Sequence, residues 1–421
     1  NPHEVEMFKK NEIHNQFGAW KFDEICLDFK PDIVIGISDI WMTSHITKSP
    51  FRKYFKQVQM ITCDGEPQKQ EWIDEYKTYD LVLTYSQWAK EVTERQSGGT
   101  RKVFGVPSPG TDLNIFHPPA DKKGLRESLG LKSDIFLVNT VMRNQPRKLY
   151  TDLFAAFAKF LDMCHRSGRD DLAKKTFLHC HTSYPDVGWD LPKEMSYHKI
   201  SHKVLFTYLC DSCNHSQFSF FSGERTFCPK CGQNSMHMPN TVRGVSRERL
   251  SEFMQCSDLY VQYSCSEGWG MPITDAKGCG VPTAVVDYSA MTEQAYNGGG
   301  IPLKVKRMCQ EPVNATGQWR AFPDNDYLAE RLFEYFGVWT QSQRDQLGRE
   351  ARECAEKYYN WDNIAKVWEA AIDSLDCPPH TMTWYSPPKL TQPPTSIPPN
   401  LSNEQFLQWC YNNILGEAFV P

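Results

Sequence analysis

The chain has 421 residues, of which 40% are hydrophobic and 23% charged, with a formal net charge of −5. That length points to two or three domains with sizeable cores, in an ordinary globular composition. The balance excludes a whole-protein electrostatic case for nucleic acid, and no apolar run approaches the ~18 residues of a membrane span.

The chain starts at Asn1, without Met, in a polar, helix-like stretch, so the lack of a targeting signal carries no weight. A helix is predicted over 21–30, leading into a strand at 32–38 (Asp-Ile-Val-Ile-Gly-Ile-Ser). Short β-branched or aromatic runs follow at 58–63, 81–85 and 103–106, the first two each succeeded by a helical pattern. Strands alternating with helices imply parallel βαβ units covered on both faces. Further on, strands are expected at 135–142, 176–181, 204–209, 259–263 and 281–287. Helices are expected at 150–163 (started by Thr151), 247–256, 324–339, 342–359 and 363–375. Residues 378–399 carry four Pro-Pro pairs and should be extended, before a short amphipathic helix at 401–415. Trp384, Tyr385 and Trp409 favour a tail packed on the body over a free linker.

The most informative stretch is 264–280, Ser-Cys-Ser-Glu-Gly-Trp-Gly-Met-Pro-Ile-Thr-Asp-Ala-Lys-Gly-Cys-Gly. A strand ends in a Gly-x-Gly turn that opens a helix, with Glu267 before the turn and Asp275 one turn inside. Such a turn presents bare backbone N–H groups at a positive helix end, suited to a phosphate or a sugar hydroxyl. A carboxylate on each side can accept hydrogen bonds from hydroxyls. Arg143 and Lys148, five residues apart between a strand and a helix, form a second constellation of fixed cations, with Arg147 as a substitute for either.

These residues resemble the Glu-x7-Glu signature and the Arg/Lys pair of the retaining glycosyltransferases of family four (glycosyl transferases group 1). The segment 106–118, Val-Pro-Ser-Pro-Gly-Thr-Asp-Leu-Asn-Ile-Phe-His-Pro, also resembles the family's Pro-Asn-Gly-Val-Asp-x-x-x-Phe-x-Pro, with Pro109 in place of the usual Asn. So does Asn360-Trp-Asp-Asn near the end, and the resemblance covers roughly residues 30–375. It implies an α/β GT-B fold, two Rossmann-like parallel-sheet domains facing a cleft. The first would occupy 1–117, on the acceptor side, without its opening strands; the second, at 118–376, would bind the donor; the tail would be 377–421. It implies transfer of a sugar from a nucleotide-diphosphate sugar, UDP- or GDP-linked, with retained configuration. In that reading Glu267 meets the transferred sugar, Asp275 (Asp where the family has Glu) meets the ribose, and Arg143 and Lys148 clamp the diphosphate without a catalytic metal. Gly268, Trp269, Gly270 and Met271 contact the donor. Asp64, and more weakly Asp39, would stand on the acceptor side.

Fifteen cysteines are present. Four form the pairs Cys210-x-x-Cys213 and Cys228-x-x-Cys231, and the rest are scattered, a pattern of a reducing compartment with metal ligands and buried thiols. The spacing is that of a zinc ribbon, inserted at 205–240, whose two knuckles converge on one closed structural Zn²⁺. Its side chains are not basic, so nucleic acid is not an expected partner, and the sequons at Asn214, Asn314 and Asn400 read as chance matches. The expected setting is cytoplasmic, with peripheral membrane contact and oligomerisation both left open, and with a glycan, lipid-linked or protein acceptor. The alternative function is a catalytically silent GT-B scaffold whose ribbon and tail bind a partner.

Overall fold

The computed structural model describes residues 16–377 together with Trp384, Ser402 and Gln405. Apart from those three residues, the Pro-rich segment 378–399 and the expected helix 401–415 lie outside the described residues. In chain order the strands are β1 (Ile33–Ser38), β2 (Lys56–Ile61), β3 (Leu81–Thr84), β4 (Phe136–Val141), β5 (Thr176–His181), β6 (Val204–Cys210) and β7 (Ser216–Phe220). They continue as β8 (Met236–His237), β9 (Leu259–Gln262), β10 (Thr283–Val286), β11 (Gly300–Leu303), β12 (Val305–Gln310) and β13 (Trp319–Pro323).

The first sheet has the order β1-β2-β3, and β2 and β3 pair in parallel with Val58 opposite Leu81. The large sheet runs β11-β10-β9-β4-β5-β6-β7. Every pair from β11 to β6 is parallel. All four residues of β3, β9 and β10 are buried, as strands covered on both faces must be. The chain passes from β4 outward to β5 and β6, then returns to β9 on the other side of β4. That reversal is a topological switch point, and such a point opens a crevice at the carboxyl ends of its strands.

The described residues fall into two compact units, 16–34 and 42–57 with Cys377, Trp384, Ser402 and Gln405, and 35–41 with 58–376. In the smaller unit, the helix Ala19–Phe29 buries Cys26 among Ile46, Phe51, Tyr54 and Phe55. Trp384 joins this cluster, stacked 4.9 Å from the Tyr54 ring, and its indole N–H donates to Pro31 O at 3.2 Å. In the larger unit, Phe154, Phe157, Leu161 and Cys164 repeat at helical spacing along the helix Tyr150–Arg166. They form the main core with Leu328, Leu332 and Tyr335 of the helix Asn325–Gly337.

Two local expectations fail. The run at 103–106 contributes only a parallel bridge from Gly105 to Leu83, because Pro107 and Pro109 lack the N–H groups a ladder needs. Thr151 does not cap its helix, which starts at Tyr150 from Leu149 in the left-handed region (φ 33°). The 3-10 turn Pro146–Lys148 feeds straight into that helix, and the Thr151 hydroxyl donates instead to Glu194 at 2.7 Å.

A polar thread crosses the large sheet. His179 Nδ1 lies 2.8 Å from Asn139 Oδ1 and its Nε2 3.0 Å from Thr207 Oγ1, while His181 Nδ1 lies 2.9 Å from the same hydroxyl. Burial pushes His179 well below the usual imidazole range, with His181 adding to the effect, and pushes His181 down to about 4. A lowered imidazole pKa means that the unfolded chain takes up the proton first. Stability is then fully present above pH ~6.5 and drains away as pH falls toward 4. For His181 the loss between pH 7 and pH 5 is about 2 kcal/mol. Thermal unfolding at these two pH values should show the drop, and His181→Gln should reduce it; an unchanged pH slope in the variant would remove His181 as its source.

Candidate active site

The strands β4 and β9 end side by side and carry the two segments singled out in the sequence. Glu267 is 5% exposed and Lys148 8%. The Lys148 ammonium pairs directly with Glu267 Oε1, and Arg147 Nη1 donates to Glu267 Oε2 at 2.8 Å. Oε1 also accepts from Gln262 Nε2 at 2.7 Å and from Ser264 Oγ at 2.6 Å. The Tyr260 hydroxyl in turn donates to Gln262 Oε1 at 2.5 Å, so the order of β9 is passed on to the carboxylate. Burial by itself would raise the Glu267 pKa, but Lys148 and then Arg147 outweigh it and hold the carboxyl down to about 2. Glu267 is therefore an anion at any working pH, able to accept hydrogen bonds but not to give a proton.

The backbone around it is stitched from three parts of the chain. Cys265 N donates to Arg147 O at 2.9 Å, and Ala321 N of β13 donates to Cys265 O at 3.0 Å. Ser289 Oγ accepts from Glu267 N at 3.2 Å and donates to Glu267 O at 3.1 Å. Gly268 is required by close approach, since a Cβ there would fall 2.7 Å from Thr62 Cγ2. Gly270, at φ 89°, opens the helix Met271–Gly278.

The other expected residues are distributed as follows. Arg143 is not brought to Glu267; its guanidinium makes a two-pronged pair with Asp186, at 2.9 Å on each side. Arg147 stands beside Lys148 instead. Asp275 accepts from Thr111 Oγ1 at 2.6 Å, and burial pushes its carboxyl up to about 6. Trp269 is 3% exposed, edge-on to Tyr359 with ring centroids 5.5 Å apart, so its ring packs inward; Met271 is exposed. Asp64 lies 3.1 Å from Arg320 Nη1, and Arg320 donates to Ser266 Oγ at 2.6 Å. Sequence reading missed Arg320, Gln262 and Ser264. The first carries no local signal, whereas the other two are polar side chains in or just after a buried strand, a departure that marks a supported charge.

The four cysteines of the two knuckles converge, all sulfurs lying within 4.8 Å of one another. Cys210 and Cys231 are 3.6 Å apart, and Cys213 and Cys228 3.7 Å. A tetrahedron with metal–sulfur bonds of ~2.3 Å has edges of ~3.75 Å, so the spacing fits such an ion. β7, between the two cysteine pairs, and β8, just after the second, both pair antiparallel with β6. Among the described residues no helix is long and apolar enough to cross a membrane.

Residues 238–311, which include Glu267 and Asp275, match the family described as Glycosyl transferases group 1. A D-inositol 3-phosphate glycosyltransferase of Catenulispora acidiphila is 22% identical over 218 residues, 52% of this chain and 42% of that protein. The chain thus spans about two fifths of the length of this curated relative. Among solved structures, HepE of Anabaena in complex with UDP and glucose aligns with TM-score 0.59 and 16% identity, over 86% of this chain and 85% of that one. Sucrose-phosphate synthase of Thermosynechococcus elongatus aligns with TM-score 0.59 and 15% identity, over 85% and 78%. The fold is α/β with parallel sheets, of the GT-B type these glycosyltransferases share.

Removing one partner of a buried ion pair strands the other, at a cost of about 3–5 kcal/mol. Glu267→Ala should lower the unfolding free energy by that amount. In a denaturant-based cycle with Lys148→Met, the double variant should be more stable than the sum of the singles. Additive effects would show that the two groups are not coupled.

Proposed function

We propose that the chain is a glycosyltransferase that moves a sugar from a nucleotide-diphosphate sugar to an acceptor hydroxyl with retained configuration. The observation that carries this reading is the ionised, buried Glu267, gripped by Lys148 and Arg147 where β4 and β9 diverge. The family match over 238–311 and the UDP complex of HepE support it and favour a UDP-linked donor.

In this reading the glycosidic C–O bond to the diphosphate breaks, and negative charge builds on the departing phosphate oxygen. Lys148 and Arg143 are the proposed clamp on that charge, and Arg147 adds a third cation at Glu267. Arg143 is half-exposed, and the buried Asp186 carboxylate it holds is also bonded by Ser183 Oγ and by Val187 N at 2.8 Å, so that carboxylate keeps partners when the guanidinium turns to a phosphate. Glu267 accepts hydrogen bonds from hydroxyls of the transferred sugar and stabilises positive charge on the reacting carbon. Because it stays ionised, the acceptor's proton goes to the leaving phosphate oxygen, and the new C–O bond forms on the face the phosphate has left. The backbone amides of Gly268 to Met271 are proposed to meet the donor, Asp275 the ribose, and Asp64 the acceptor.

We further propose that Cys210, Cys213, Cys228 and Cys231 hold a structural Zn²⁺, with the Ser235 hydroxyl, 3.0 Å from Cys210 Sγ, supporting one thiolate. The engagement of Asp275 with Thr111 is the one observation that favours a catalytically silent scaffold.

Glu267→Gln should reduce transfer by about 10³-fold while circular dichroism shows the fold retained; near-normal turnover would dismiss the assigned role. A UDP-sugar at a hundred times its Kd should stabilise the chain by about 2.7 kcal/mol, read as a rise in Tm. No shift with any UDP-, GDP- or ADP-sugar would favour the scaffold. Elemental analysis should find one zinc per chain, and its removal by a chelator should lower Tm; a zinc-free chain of unchanged Tm would refute the metal's structural part.

A further inference from the structure

A cavity of about 250 Å³ opens beside the Glu267 cluster, smaller than the roughly 300–1,000 Å³ of a drug-sized site. It has room for one ring rather than a chain of them. Its lining comes from three places. The segments after β1 and β2 supply Asp39, Trp41 and Asp64, and the ends of β4 and β9 lead to Arg147 and Gly268. The β12–β13 hairpin supplies Thr316, Gln318 and Arg320.

The hairpin is fastened to the loop after β2. Trp319 N donates to Glu66 O at 2.7 Å, and Gln318 Nε2 donates to Gly65 O at 3.0 Å. The hairpin side chains are thus held in the cavity wall rather than waving above it.

The charges of this wall are already matched. Arg320 is 7% exposed, lies 3.1 Å from Asp64, and donates to Glu311 at 3.3 Å and to Ser266 Oγ at 2.6 Å. Arg147 is engaged by Glu267. Among the charged residues that line the cavity, two carboxylates (Asp39 and Asp64) stand against two guanidiniums (Arg147 and Arg320), and each guanidinium is already held by a carboxylate. An anion entering here would have to displace a carboxylate from each guanidinium it sought. A neutral hydroxyl meets no such barrier. It can donate to Asp39 or Asp64, accept from the second N–H of the Gln318 amide, and lay ring C–H groups on the exposed indole of Trp41.

We propose that this cavity receives the accepting end of the acceptor, and that this end is an uncharged, hydroxyl-rich ring, a sugar or polyol bearing no phosphate or carboxylate. Trp41 and Gln318 are its specificity-determining residues, and Arg320 is a positioning residue that fixes the wall through Ser266 and Asp64. The proposal rests on the glycosyl-transfer reading, and the two can be tested apart because donor hydrolysis in the absence of acceptor needs neither Trp41 nor Gln318.

The experiment takes the full chain with UDP-, GDP- and ADP-glucose. It measures hydrolysis without acceptor, then transfer to the methyl glycosides of glucose, galactose and mannose and to their 6-phosphates. At least one neutral glycoside should be used with a kcat/KM about tenfold or more above that of its 6-phosphate. Trp41→Ala and Gln318→Ala should each raise the acceptor KM about tenfold, with acceptor-free hydrolysis unchanged. Asp39→Asn should narrow the gap between neutral and phosphorylated acceptors. Normal hydrolysis combined with a preference for the 6-phosphates, with transfer to none of these acceptors, or with an unaltered acceptor KM in both variants overturns the proposal alone. Absence of hydrolysis and transfer with every donor overturns the underlying reading and this proposal with it.

Discussion

The pairing of Lys148 with Glu267 governs the rest of the larger unit. Two charges removed from water cost several kcal/mol each, and attraction between them offsets that only when the remaining lone pairs are also filled. Gln262, Ser264 and Arg147 fill them, and each is itself held by a neighbour. Tyr260 orients Gln262, and the backbone bonds from Cys265 to Arg147 and from Ala321 to Cys265 fix the register of the loops. The two strand ends, the Gly-x-Gly turn and the middle of β13 thus form one cooperative cluster. Its order is built into the folded protein before any ligand arrives, which is what a site that stabilises transient charge requires.

Local signals in the sequence were read well where the physics is local. The alternation of strands and helices follows from burial on both faces of a parallel sheet, and β5 lies where its residues suggest, from Thr176 to His181. The helix after Gly270 is likewise where the turn places it, and the paired cysteines converge because each knuckle is a short-range structure. The choice between Arg143 and Arg147 was not legible. Both lie in the eight residues, 142–149, between β4 and the helix Tyr150–Arg166, and which of them faces Glu267 depends on the 3-10 turn Pro146–Lys148 and on Asp186, far along the chain. Arg320 was missed for a similar reason. It reaches Ser266 through a hairpin whose pairing, Gln310 opposite Trp319, leaves no periodic trace strong enough to separate it from a loop. Thr151 had the right residue type for a cap but the wrong approach of the chain.

Electrostatics separates the two acidic residues that the sequence presents as a matched pair. Glu267 is surrounded by cations and ionised down to about 2, whereas Asp275 is buried beside a hydroxyl and raised to about 6. The same functional group is thus held firmly in its charged form in one place and pushed toward its neutral form in the other. The difference comes from the neighbours rather than from the residues themselves.

The cysteine-bearing segment between β6 and β8 has an effect that reaches beyond its own turns. All seven residues of β6 are buried, and β7 and β8 occupy the side of it away from β5. Without that cover, Val204, Leu205, Phe206 and Tyr208 would form the rim of the sheet, a long apolar margin with open backbone groups that would recruit strands from other molecules. Whatever loosens the packing of these cysteine-bearing turns against β6 therefore uncovers an aggregation template in the larger unit.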